Sequence, residues 1–413
     1  MANSLLTIDM ITREAVRLFK NSNLFVQNLD TQYDGAYAID GAKIGSTLRI
    51  RLPNDYVVNN GPAMSLQDTQ EQNTTLTVSS QKNIAVPFTT VERTMDLDDY
   101  ADRIMAPLIN NLAGDVAATI MLGSEGGVCN FVSNVNGASD IISPTAEHFL
   151  LGNAILDDNS ADQMTRNIVN DPTTDARATV SMQGLLNPSA PISEQWRTGM
   201  MKSGLGYNKW FRDQTVIKHT SGSFSAGGTV NLGGQTGTSI NVNAITGTLK
   251  KGDIVTFADV KAINRVTKQP LGTLRQFVIL ADVVTTGTVV TIYPALTPGV
   301  VNAAATYGYD PVQYQTVDFS PANAAAMVMV TKSSEVYRKS IAFVQKAITM
   351  ACADLVIPRK AVEEAGRAQY DGISMRVLTD YLPDSDQLAT RVDVLFGFKY
   401  IRPEWCCIVA DKV

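Results

Sequence analysis

Leu249-Lys250-Lys251-Gly252-Asp253-Ile254-Val255-Thr256-Phe257-Ala258-Asp259-Val260 is the stretch that decides how this chain is read. Its β-branched and aromatic residues from Asp253 to Phe257 suit a pleated, half-buried strand. The same signal recurs on both sides, at Ser239 to Ala244, Arg275 to Ala281 and Val289 to Tyr293, with Gly and Thr punctuating the runs. Composition changes at His219, and from Thr220 to about Thr331 no helical pattern arises before Asn323. An all-β module is therefore expected inside a chain that is otherwise α+β.

Upstream, Ile8, Ile11, Ala15, Leu18 and Phe19 recur at helical spacing, giving an amphipathic helix that ends near Asn21 and Asn23 and could dock on its own domain or on a neighbour. Strand character follows between Tyr33 and Tyr56, with the alternation Thr47 to Leu52 stopping at Pro53. A polar, turn-rich excursion from Asn54 to Gln72 leads to strands at Thr74 to Val78 and Asn83 to Phe88, together a long hairpin. Leu97, Tyr100, Ile104, Leu108, Leu112, Val116 and Ile120 then mark one face of the longest helix, which Pro107 kinks or restarts and Gly123, Gly126 and Gly127 end. Between Glu147 and Ser193 helix, loop, strand and helix alternate, with a short strand predicted at Arg177 to Val180 and a helical fragment at Met182 to Leu186. Beyond Ser333, a strand candidate spans Ala342 to Ile357, broken at Lys346, and a helical fragment spans Val362 to Ala368. Strands at Arg391 to Phe398, Lys399 to Arg402 and Trp405 to Val409, stepped by Pro403, close the chain.

The 413 residues exceed one compact core and predict two to three structural units. Thirty-four basic against 40 acidic residues leave a net charge of −6, which argues against a sequence-specific DNA binder needing a basic face. Neither the 29 Gly nor the 16 Pro are concentrated enough for a collagen-like or disordered chain. The N-terminal apolar pattern is interrupted by Arg13, Glu14, Arg17 and Lys20, and no run long enough to span a bilayer occurs, so a soluble chain starting near Met1 is expected.

The motifs that carry chemistry are missing from the sequence. Cys129, Cys352, Cys406 and Cys407 have neither CxxC nor metal-ligand spacing, which fits a reducing compartment without disulfides. His148 and His219 are the two histidines and are expected to be structural or merely exposed. No GxxxxGK[ST], GxGxxG or GxSxG occurs, and Gly233-Gly234-Gln235-Thr236-Gly237 reads as a hairpin or linker. Asp96, Asp98 and Asp99 suit either a metal cluster or, preferably, a first helical turn, where carboxylates complement the dipole. Trp196, Tyr207, Trp210 and Phe211, beside Arg197, Lys202, Lys209 and Arg212, read as packed aromatics ahead of a base-stacking platform. Lys250, Lys251, Lys261, Arg265, Lys268 and Arg275 make the β-module locally basic, as a solvated surface or as a contact for an acidic neighbouring subunit. No catalytic, cofactor-binding or metal-binding residue is assigned.

Four stretches resemble the tailed-bacteriophage major capsid (coat) proteins of the Hong Kong 97 fold. They are Leu24-Phe25-Val26-Gln27-Asn28-Leu29 followed by Gly45-Ser46-Thr47-Leu48-Arg49-Ile50-Arg51; Val86-Pro87-Phe88 with Glu92-Arg93-Thr94-Met95 and Asp98-Asp99-Tyr100; Leu249 to Val260; and Gly397-Phe398-Lys399-Tyr400-Ile401-Arg402-Pro403-Glu404-Trp405. The third resembles the inserted domain of the Salmonella-podovirus type. The resemblance implies an N-terminal arm at 1–46, an extended loop hairpin at 47–90, and a spine helix, peripheral domain and first part of an axial domain at 91–219. It further implies an inserted β-barrel-like domain at 220–331, with the second part of the axial domain and closing peripheral strands at 332–413. It also implies self-assembly into hexamers and pentamers of an icosahedral head, a scaffolding protein, a portal, in some members a decoration protein, and enclosed double-stranded DNA without sequence-specific binding. The virion, assembled in the bacterial cytoplasm, would be its location. No motif identifies a cross-linking Lys and Asn pair. Alternatives are an encapsulin-like nanocompartment shell, a tail or decoration protein, or an enzyme holding a metal on the Asp96, Asp98, Asp99 group or on Asp157 and Asp158.

Overall fold

The computed structural model describes residues 8–31, 47–59, 62, 64, 66–89, 106–181, 203–358, 364–370, 372–383 and 387–413. The chain divides into two compact units, one drawn from Met1–Arg51, Asn73–Met121 and Ile348–Ile401, the other from Leu52–Gln72, Leu122–Ala347 and Arg402–Val413.

In the first unit, strand Gln387–Tyr400 is the axis of a five-stranded sheet. Ile373–Leu382 pairs along one side of it, and Glu364–Tyr370 lies beyond. Ser80–Thr89 and Ile348–Cys352 share the other side end to end. Helix Ile8–Ser22 packs over Glu364–Tyr370 and Ile373–Leu382, burying Ala15, Val16 and Phe19 while Arg13 and Arg17 stay exposed. It docks on its own unit. Asn23 then starts the short helix Leu24–Gln27, its Oδ1 accepting from the amides of Phe25 and Val26 at 2.9 and 3.1 Å, as an N-cap should. Asp30 locks that segment to the sheet: its amide donates to the Ile348 carbonyl and its carbonyl accepts from Met350.

Helix Ala106–Leu122 carries Pro107 in its first described turn and buries Leu108, Leu112, Val116 and Ile120, the four described members of the expected apolar face. Leu97, Tyr100, Ile104 and the Asp96, Asp98, Asp99 group lie outside the described residues. Strand Thr47–Arg51 pairs antiparallel with Asn73–Thr77, whereas Ser80–Thr89 leaves this ladder after Val78 and joins Gln387–Tyr400. Gly397 permits that crossing, because a Cβ there would stand 2.2 Å from the Thr77 carbonyl oxygen and 2.8 Å from the Val78 Cα.

The second unit has two apolar cores. One lies against a seven-stranded sheet ordered Ile141–Ile142, Phe131–Val135, Cys406–Lys412, Val336–Val344, Arg166–Asn170 and Lys209–Arg212, with Lys218–Thr220 pairing the start of Val336–Val344. Phe149, Ile168, Tyr207, Trp210, Val344 and Val409 fill it. The other belongs to the β-rich stretch, where Gly237–Asn241, Val289–Leu296, Pro270–Ile279, Ile254–Ile263 and Met327–Met329 form one antiparallel sheet. Phe257 and Phe277 meet edge to face at 5.6 Å in its centre. No helix occurs among the described residues from Asn323 to Thr331.

Two local expectations are corrected. Arg177 to Val180 is not a strand but part of helix Pro172–Ser181. Asp171 accepts from the Thr173 amide at 2.9 Å and Pro172 presets the first turn, a start signal stronger than the strand preference of Thr179 and Val180. The described part of Val362 to Ala368 is strand, in Glu364–Tyr370, because pairing with Ile373–Leu382 outweighs its Glu- and Ala-rich helix propensity. The Ala342 to Ile357 candidate is two strands, Val336–Val344 and Ile348–Cys352, separated at Lys346 by a single 3-10 turn. Met182 to Leu186 lies outside the described residues.

Candidate assembly surface

Among the described residues, side chains of reactive type are mostly buried or paired. Asp157 is paired with Arg166 at 2.6 Å, and that hydrogen bond holds its carboxyl below the usual range, while burial pushes Asp158 up. Among the described residues no group of three or more His, Cys, Asp or Glu side chains could hold a metal ion. The four cysteines are buried and none is in a disulfide, and burial pushes the thiols of Cys129, Cys406 and Cys407 up, away from the reactive thiolate. His148 sits at the start of helix Ala146–Asp158, its Nδ1 2.8 Å from the Thr145 hydroxyl. His219 is buried between two carboxylates. Tyr207, Trp210 and Phe211 are core residues: Trp210 stacks against Phe149 at 5.0 Å and Tyr207 at 5.9 Å, so they offer no face to a base. Trp196, Arg197 and Lys202 lie outside the described residues. Gly233 to Gly237 forms a bend into strand Gly237–Asn241, tied by the Gln235 side chain to the Asn241 amide and carbonyl.

Of the six basic residues of the β-rich stretch, Arg275 is half-buried with its Nη2 3.8 Å from the Cys129 sulfur, and the other five divide into two sets. Lys250, Lys251 and Lys261 are exposed. Arg265 and Lys268 instead turn to acids of their own chain. The Arg265 Nε lies 3.2 and 3.1 Å from the two Asp55 oxygens and its Nη1 bonds Glu404. Lys268, 2% exposed, donates to the Gln313 carbonyl at 3.1 Å and stands 3.6 Å from Asp55. Burial pushes its ammonium below the ordinary lysine range, against the pull of Asp55.

Those contacts organise the excursion Leu52–Gln72, the surface that sequence reading described only as polar. Its base is closed by the Leu52 amide on the Gln72 carbonyl at 2.8 Å. The Tyr314 hydroxyl sits between the Asn54 side-chain oxygen, at 3.1 Å, and the Gln70 carbonyl. Further out, Gln67 bonds the amide and carbonyl of Val57. Past this clamp three apolar side chains are spread in solvent: Val58 at 81%, Met64 at 85% and Leu66 at 86% exposure. Apolar groups held out by a clamped base suit a surface covered by another molecule. Asp55 and Arg265 are 210 positions apart, and no local pattern joins them.

A braced, apolar-tipped loop suits a contact-making protein. A family model described as P22 coat protein, gene protein 5, matches residues 3–409. The chain belongs to this coat protein family, and it is a phage major capsid protein that forms the shell. Among solved structures, a protein of Mycobacterium phage Che8 is similar at 11% identity over 94% of this chain and 90% of that one, with a TM-score of 0.43. The capsid of Ralstonia phage GP4 is similar at 6% identity over 90% and 84%, with a TM-score of 0.45. A virus-like particle protein from Pyrococcus furiosus is similar at 8% identity over 97% of each chain, with a TM-score of 0.38. No curated protein matches the chain. Among the described residues no helix is long and apolar enough to cross a membrane.

Proposed function

We propose that copies of this subunit close as hexamers and pentamers into the icosahedral head of a tailed bacteriophage, with a Hong Kong 97-like fold and an inserted β-domain at 220–331. The observation that carries the reading is the match of residues 3–409 to a coat protein family. The separate apolar core of the β-rich stretch supports the insertion, since a segment with its own buried cluster can be inserted without sharing the host core. The arm at 1–46, the extended loop at 47–90, the spine and axial portions at 91–219 and the closing region at 332–413 complete the assignment. Assembly proceeds in the host cytoplasm on a scaffolding protein, around a portal, and some shells add a decoration protein. Double-stranded DNA is enclosed without being read. The net charge of −6 favours this, because a wall that neutralised phosphates strongly would arrest DNA as it enters.

Expression of the subunit with and without its scaffolding partner, followed by electron microscopy, tests the proposal. Closed shells of uniform size with the partner are expected; monomers or small rings under both conditions would overturn it.

A further inference from the structure

His219 occupies a buried charge cluster where the β-rich stretch meets the seven-stranded sheet. The ring is 4% exposed. Its Nδ1 lies 3.0 Å from Glu125 Oε1, on the short helix Ser124–Gly127, and its Nε2 lies 2.8 Å from Asp253 Oδ1, on the turn that opens strand Ile254–Ile263. Strand Val336–Val344 supplies the remaining walls: the Tyr337 ring at 5.4 Å and the buried Lys339 ammonium, 3.8 Å from Glu125. Lys251, on the same turn as Asp253, adds positive charge near Glu125. Gly252 lies in the middle of these groups at φ +95°, where a Cβ would stand 3.1 Å from Glu125, His219 and Lys339 together, so only glycine closes the cluster.

The hydrogen-bond directions follow from what each partner can give. Asp253 Oδ2 already accepts from the amides of Gly222, at 3.0 Å, and Lys250, at 2.7 Å, bonds that favour the carboxylate over the acid. Although burial raises the Glu125 carboxyl, the His219 hydrogen bond and the nearby positive charges outweigh it, and the group stays below its usual range. A carboxylate has no proton to donate. Each ring nitrogen must therefore supply one, which only the doubly protonated imidazolium can do. Two carboxylates are then balanced by the imidazolium and by Lys339, whose ammonium burial pushes down to about 8 against the pull of Glu125 and Asp253, whereas a neutral ring would aim a lone pair at an oxygen within 3.0 Å.

We propose that His219 is a proton-loaded clamp, whose imidazolium ties Asp253 of the β-rich stretch to Glu125 beside the seven-stranded sheet and lets go when one ring proton is lost. Histidine is the side chain whose charge changes nearest neutral pH, so attachment holds while the ring keeps both protons and the two carboxylates stay ionised, and weakens as pH rises through the loss of one ring proton. A shell subunit so equipped loosens its β-rich stretch on the alkaline side while its two cores stay intact.

With two histidines in the chain, selective 15N-histidine labelling of the full subunit gives two ring systems to read by NMR. At pH 7.5 His219 should carry protons on both nitrogens, while His148, whose proton affinity burial lowers, should be neutral and serves as the internal control. Glu125→Gln should move the His219 titration to lower pH by about one unit, the scale of a lost charge partner. Limited proteolysis across the same pH range reads attachment. Cutting within 222–331 should rise several-fold as the wild-type ring loses its proton, and in His219→Gln should respond only through the discharge of Lys339, near pH 8 and above. A neutral His219 ring at pH 7.5, or ring deprotonation with no change in wild-type cutting, would overturn the clamp. Both decisive readings use the wild-type chain, so a variant that failed to fold would leave the test intact.

Discussion

Replacing Asp55 by Ala probes the brace under the Leu52–Gln72 loop. The substitution removes the pairing of Arg265 Nε at 3.1 Å and the charge 3.6 Å from Lys268. Neither cation is orphaned, since Arg265 keeps Glu404 and Lys268 keeps the Gln313 carbonyl. The cost is thus below the ~3–5 kcal/mol of leaving a buried charge with no partner. It is above the ~0–1 kcal/mol of an exposed pair, because Lys268 is almost fully covered. About 2 kcal/mol is expected at pH 7, measured by urea unfolding of the purified subunit followed by circular dichroism and tryptophan fluorescence. The pH dependence sharpens the test. The folded Lys268 already titrates below the ordinary lysine value, so it loses its charge first in the folded state as pH rises toward 10.5. Once it is neutral, Asp55 has less to neutralise, and the cost of Asp55→Ala should shrink in the window below pH 10.5. A cost that is negligible at pH 7, or that stays constant through that window, would refute the assignment of Asp55 as counter-ion to Lys268.

Three further outcomes are expected. Gly397→Ala should destabilise the first unit by roughly 2–3 kcal/mol through overpacking against Thr77, while Gly137→Ala, with nothing within 4 Å of the new Cβ, should shift the melting temperature little; similar shifts for both would refute the close approach. Trp405→Ala should cost about 2–3 kcal/mol, less than a fully buried aromatic, because the ring is partly exposed yet donates to the Asn159 carbonyl at 3.1 Å and lies under Arg402 at 4.0 Å. Leu66→Asp should change subunit stability by less than ~0.5 kcal/mol but prevent shells in sedimentation, and normal shells would remove the loop tip from the assembly contacts.

Strand Ile254–Ile263 was legible in the sequence from its run of β-branched and aromatic residues, and the apolar face of Ala106–Leu122 from a period near 3.6, both of them local signals. The family resemblance was legible for a different reason, an ordered set of short stretches over most of the chain. Two local readings failed where a nearby signal competed. Asp171-Pro172 started a helix over β-branched residues, and a sheet edge captured the helix-prone Glu364–Tyr370.

The sequence by itself determined that the chain lacks the common nucleotide-binding and hydrolase motifs, and that a β-rich stretch interrupts an α+β chain. Both are properties of spacing between near neighbours. Only the tertiary structure decided that Asp55 faces Arg265 and Lys268, that the Leu52–Gln72 loop is braced with its apolar tip exposed, and that His219 joins Glu125 to Asp253. Such pairings join residues 34 to 213 positions apart. A charged residue looks the same in sequence whether solvent or a distant carboxylate receives it. The folded backbone brings the two within 3 to 4 Å, and at that separation, out of water, the interaction becomes strong enough to matter.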